Sequence, residues 1–210
     1  MAMFNDAKFF LEKIITDSQN YSKKMGKTHF SQYENSQSPI ATILTCSDSR
    51  VQLSKIYTQA ENKLFVIRNI GNQVDTAAGS IEFGINYLKT PVCMVLGHSY
   101  CGAVQAVCES TPVSHPVAQE LATMNIQSKH DVICATIENI QNQTNTIIKR
   151  YFSKVENRVL TVIGAFYDFS NLFHYGHGRV IFVNINGENN TNKIKNHECF
   201  RDLEHAYFLK

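Results

Sequence analysis

The chain has 210 residues, 43% of them hydrophobic, enough to bury a sizeable core and consistent with one domain rather than a string of them. Twenty Lys and Arg against eighteen Asp and Glu leave a formal charge of +2 with no basic stripe, so the electrostatic footprint of a nucleic-acid binder is missing. No stretch approaches the ~20 apolar residues that span a bilayer, and six cysteines spread between positions 46 and 199 fit free or metal-bound thiols in a reducing cytoplasm better than a disulfide-stapled miniprotein.

The start, MAMFNDAKFFLEKIITDSQ, lacks the cationic leader, continuous apolar run and small-residue cleavage site of a signal peptide. Phe4, Phe9, Leu11, Ile14 and Ile15 recur at roughly helical spacing, which predicts an N-terminal helical arm over 1–36 before a single domain over 37–210. After Pro39 the run IATILTC is short, β-branched and apolar on both phases, as in a strand covered on both faces of a parallel sheet. Similar runs follow at LFVIRNI from Leu64 and at PVCMVLGH from Pro91 to His98, with helix-like stretches from Ser80 to Leu88 and from Gly102 to Cys108. Alternating strand and helix predicts an α/β fold with a mainly parallel sheet and flanking helices. Two or three short helices are expected over Val117 to Val155. RVLTVIGAFYDF and RVIFVNI, joined by the hairpin-like SNLFHYGHG, predict an antiparallel edge strand, and the tail ends in an apolar cluster at Ala206 to Leu209.

Two segments carry chemistry: TCSDSRV at 45–51 and GHSYCGAV at 97–104, each directly after a predicted strand. Sites in open α/β sheets form beyond the carboxyl ends of strands, so the two segments can converge. His98 and Cys101 lie three apart at a strand-to-helix turn for which Gly97 and Gly102 leave room, and Cys46 supplies a third soft donor. Three protein donors are the complement of catalytic zinc, which keeps one position open. Asp48 could ligate the metal or hold its water; a bidentate pair with Arg50 favours the second. Taken alone, the His-x-x-Cys spacing is as readily a chance occurrence as a metal pair in a chain with six Cys and eight His. Cys93, Cys108, Cys134 and Cys199 read as packing or surface residues, His174 and His177 as part of a solvated turn, and Asp75 and Glu82 as ordinary carboxylates.

Taken together, CSDSRV, RNIGN at 68–72, GHSYCGAV and VIGAFYD at 162–168 resemble the β-class carbonic anhydrases in order and gaps, over residues 37–185. The resemblance implies one Zn2+ per chain on Cys46, His98 and Cys101, and Asp48 with Arg50 as the catalytic dyad. It implies substrate-binding roles for Gln37, Phe65, Ile70, Phe83 and Gly102, with Gln37 donating to bound bicarbonate or CO2 and the apolar walls lying at a dimer interface. Phe83 stands where the family often has Tyr. Arg68 matches one part of an inhibitory bicarbonate site found in a subset of the family, whereas Ile43 replaces its Trp. The implied activity is reversible hydration of CO2 to bicarbonate and a proton by zinc-bound hydroxide, in a cytoplasmic homodimer or dimer of dimers with no nucleic-acid or membrane partner. A CS2 or COS hydrolase on the same scaffold, or a non-catalytic zinc protein, are the alternatives.

Overall fold

A computed structural model describes residues 2–203 and 205–209, with backbone alone for residues 2–4. The chain divides into two compact units, Met1–Gln37 and Ser38–Lys210. The first is the helix α1 (Ala2–Ser31), broken at Gly26 by a φ of 72°. Its apolar residues Phe9, Phe10, Leu11, Ile14 and Ile15 are 51–68% exposed, while the side chain of Phe4 lies outside the described residues.

The second unit is built on a six-stranded sheet in the order β2-β1-β3-β4-β5-β6. β1 (Ala41–Cys46), β2 (Leu64–Asn69), β3 (Val92–His98) and β4 (Thr161–Asp168) run parallel. β5 (Arg179–Ile185) returns antiparallel to β4, and β6 (Tyr207–Phe208) lies parallel to β5 at the rim. This is the expected mainly parallel architecture, with the antiparallel strand one place in from the edge. All six residues of β1 are buried. Covered on both faces, the strand has no polar phase, and its two threonines are satisfied internally: the Thr42 hydroxyl pairs with that of Thr90 at 2.8 Å, and Thr45 donates to the Leu96 carbonyl at 2.9 Å.

The helices are α2 (Leu53–Ile56), α3 (Ala78–Glu82, widening into a π-type turn over Phe83–Tyr87), α4 (Gly102–Cys108), α5 (His115–Leu121), α6 (Val132–Arg150), α7 (Phe152–Glu156) and α8 (Thr191–Lys195). The segment expected to hold only short helices instead carries the 19-residue α6. Asp131 starts it, its carboxylate accepting the N–H groups of Ile133 at 2.8 Å and Cys134 at 3.3 Å. Its packed face carries Thr136, Asn139, Gln143 and Thr144 among Ile140 and Ile147, so inward-facing polar groups interrupt the apolar period and mimic helix breaks in the sequence. α6 lies against β3 and β4, and a Cβ on Gly97 would stand 2.7 Å from the Ile140 side chain, so bare backbone is what lets the helix approach β3.

The strand order has a functional consequence. The chain leaves β1 for β2 on one side and returns to β3 on the other, so the carboxyl ends of β1 and β3 border the crevice at a topological switch point.

Candidate metal centre

Cys46 ends β1 and His98 ends the adjacent β3, while Cys101 directly precedes α4. Their ligand atoms lie within 4.8 Å of one another, with the two sulfurs 3.9 Å apart. All three side chains are buried, His98 and Cys101 completely. The turn that brings Cys101 back over His98 places its left-handed residue at Tyr100, with φ 49°, rather than at a glycine. Gly102 has no positive φ, and a Cβ there would meet nothing within 4 Å, so the turn does not require glycine at 102.

His98 Nδ1 lies 2.9 Å from the Ser99 carbonyl, which fixes the proton on Nδ1 and leaves the lone pair on Nε2. That Nε2 is buried and has no hydrogen-bond partner among the described residues. A buried nitrogen left in this way is costly unless something else binds it. With two sulfurs in reach, the donor set is one that borderline-soft Zn2+ accepts, so these residues fit the ion. The Cys101 thiol hydrogen-bonded to it pulls the Cys46 thiol down, with the N–H groups of Gly71 and Asp48 adding to the shift; Cys101 is raised in turn by its bond to Cys46 and by burial.

Behind this centre stands a partner that motif spacing does not single out. Ser99 donates its N–H to the Tyr167 carbonyl at 3.1 Å and its hydroxyl to the buried Asp168 at 3.1 Å. Asp168 also accepts from the N–H groups of Ser170 and Phe173 at 3.1 and 3.0 Å. The two Ser99 donors hold the His98–Ser99 turn on the end of β4, and the two loop N–H groups fix the carboxylate that receives one of them. The available signal was its place at the end of VIGAFYD, a carboxylate closing a buried strand.

Asp48 and Arg50 form the bidentate pair: Nε and Nη2 of Arg50 donate to the two carboxylate oxygens at 2.9 and 2.7 Å, and the Arg50 N–H adds a third bond at 2.9 Å. Arg50 holds Asp48 at about 2, below the usual carboxylate range, mainly through these bonds. The guanidinium also reaches the Tyr100 carbonyl at 3.1 Å and lies 4.8 Å over the Phe169 ring, which limits its swing. One Asp48 oxygen stands 3.9 Å from His98 Nε2. Arg68 clamps the same loop, donating to the carbonyls of Asp48 and Val51 at 2.8 Å each.

The expected substrate residues separate. Ile70 packs against the cluster containing Cys46 and Cys101. Phe65 pairs in register with Thr42, whereas Cys46 pairs with Asn69, which puts Phe65 about 13 Å down the strand at ~3.3 Å per residue. There it meets Phe83, with ring centroids 5.9 Å apart. Within one chain, then, Phe65 and Phe83 stand apart from the ligands. Gln37 is the exposed last residue of the first unit.

A family model described as carbonic anhydrase matches residues 41–176. The chain is 35% identical over 102 residues to a carbonic anhydrase of Mycolicibacterium smegmatis, covering 48% of this chain and 47% of that one. It is 45% identical over 71 residues to carbonic anhydrase 2 of Mycobacterium tuberculosis, covering 33% and 34%. The matched stretches therefore span half or less of these curated relatives. A tetrameric β-carbonic anhydrase from Sordaria macrospora shares the fold, with a TM-score of 0.71 at 21% identity over 85% of this chain and 97% of that chain.

Proposed function

The chain belongs to the β-class carbonic anhydrase family, and from that membership we propose that it is a zinc enzyme interconverting CO2 and bicarbonate. The observation that carries this reading is the buried, partnerless His98 Nε2 beside two cysteine sulfurs, next to a carboxylate that Arg50 keeps ionised.

Cys46, His98 and Cys101 would hold one zinc ion per chain. When bound, the ion supplies the Lewis acidity that makes water a competent nucleophile near neutral pH. Asp48 accepts a hydrogen at its carboxylate and so aims the nucleophile's lone pair at carbon, while Arg50 keeps that carboxylate charged and in place. Ile70 and the backbone at Gly102 line the approach beside the ligands, and Gln37 donates to an oxygen of bicarbonate. Phe65 and Phe83 lie too far down the sheet to wall the same chain's site, which supports their serving a partner's site in a homodimer or dimer of dimers. Six free cysteines support a reducing compartment, the cytoplasm.

Zinc analysis combined with stopped-flow CO2 hydration tests the reading. One zinc per chain with rapid hydration is expected, and replacing Cys101→Ser should remove both. Stoichiometric zinc without hydration would leave a structural zinc protein and overturn the enzyme.

A further inference from the structure

The Ile70–Gly71 peptide bridges two groups. Its N–H donates to Cys46 Sγ at 3.4 Å, and its carbonyl accepts from Gln73 Nε2 at 3.0 Å. A trans peptide is planar with C=O and N–H pointing in opposite directions, so a donor fixed on the oxygen fixes where the hydrogen points. Accepting at the oxygen also polarises the N–H and strengthens the bond it donates. Gln73 is fully buried and cannot swing away. Its Oε1 accepts the Thr123 hydroxyl, its N–H donates to Asn69 Oδ1 at 2.8 Å, and its carbonyl accepts the Asn69 amide at 2.7 Å. On the far side, Asn139 of α6 donates to the Gly71 carbonyl at 3.0 Å, which fixes the following peptide as well. Gly71 has φ 77°, and a Cβ there would run into Met124, so the loop is built around this one orientation.

We propose that Gln73 is a positioning residue of the metal centre: through the Ile70–Gly71 peptide it holds an N–H on the Cys46 sulfur and tempers that sulfur's donation to the metal. The proposal rests on the reading of Cys46 as a ligand. Hydrogen bonds to a ligating sulfur and the groups behind them tune metal affinity and electronic character. Packing alone would need the Gln73 amide satisfied, but not the N–H aimed at sulfur.

The native protein loaded with NMR-active cadmium separates the possibilities. Cadmium is expected to couple to the β-protons of Cys46 and Cys101 and, through the N–H···S bond, to the Gly71 amide proton. No coupling to either cysteine would overturn the ligand reading and this proposal together; cysteine couplings with none at Gly71 would overturn the proposal alone. In cobalt-loaded Gln73→Met, the thiolate-to-cobalt charge-transfer band should move to longer wavelength and chelator competition should show about tenfold weaker metal binding. Ile81→Val, equally buried but in the main core, should lower Tm and leave the band in place. A folded Gln73→Met protein with the native band and affinity sinks the role of Gln73, and should that variant not fold, the cadmium couplings of the native chain decide.

Discussion

Asp48 has both carboxylate oxygens committed to one guanidinium, and its charge is the property the proposed mechanism uses. Asp48→Asn turns an NH2 group toward the donors of Arg50, so the pair cannot re-form. The turnover number should fall about 100-fold or more while zinc content is kept, because Asp48 is not among the three donors; a variant at native rate would remove Asp48 from the mechanism. The pH behaviour follows from the sign of its shift. A depressed carboxylate contributes above its ordinary value near 3.8 and loses that contribution only as pH falls through about 2. Rate changes between about pH 5 and 9 must then belong to another group, and the profile of Asp48→Asn should keep the inflections of the native protein. Cys93 gives a second residue-level expectation. Burial pushes its thiol up to about 12, and it is completely enclosed, whereas Cys134 and Cys199 are exposed. Thiol labelling of the native protein should reach Cys134 and Cys199 and spare Cys93 until unfolding; prompt labelling of Cys93 would mean that the sheet core opens.

At the scale of elements, the seat of α6 on β3 is set by Gly97. Gly97→Ala forces a contact of 2.7 Å with Ile140 and should cost about 1–3 kcal/mol, read as a Tm loss of about 2–4 °C per kcal/mol in a chain of this size. Ile140→Ala in the same chain makes room, so the double variant should lose less than the sum of the single changes; strict additivity would show that the two do not share the contact. The same helix shows where sequence reading stops. β1 and β3 were legible because strands covered on both faces are apolar on both phases, and they led directly to Cys46 and His98; β2, a half-exposed edge strand, was legible from its β-branched and aromatic run instead. α6 was not, because Asn139 and Gln143 spend their amides inside, on the Gly71 carbonyl and the Val74 N–H, and an inward amide reads as a surface position in a hydropathy pattern. Asp168 was hidden for a related reason: its bond to Ser99 spans 69 positions, and spacing carries no information about such partners. β6 is only two residues long, too short for any periodicity.

At the scale of the whole molecule, the distribution of exposed apolar surface asks for a partner. β2 is the edge of the sheet, and beside it the rings of Phe65, Phe83 and Tyr87 form a continuous row with centroids 5.9 and 5.6 Å apart. Tyr87 is 71% exposed, Phe83 44% and Val66 41%. An uncovered edge strand flanked by aromatics is a surface that monomers seldom leave bare. A two-fold pairing of this face would cover it with an identical copy. Sedimentation should therefore give at least twice the chain mass of 23.8 kDa. Val66→Lys, which puts a charge on that edge without touching Cys46, His98, Cys101 or Asp48, should shift the protein toward monomer with zinc retained. If Phe65 and Phe83 serve a partner's site, that monomer must also lose CO2 hydration in step with its dissociation. A zinc-loaded monomer with full activity would place the whole catalytic apparatus within one chain and remove both phenylalanines from it.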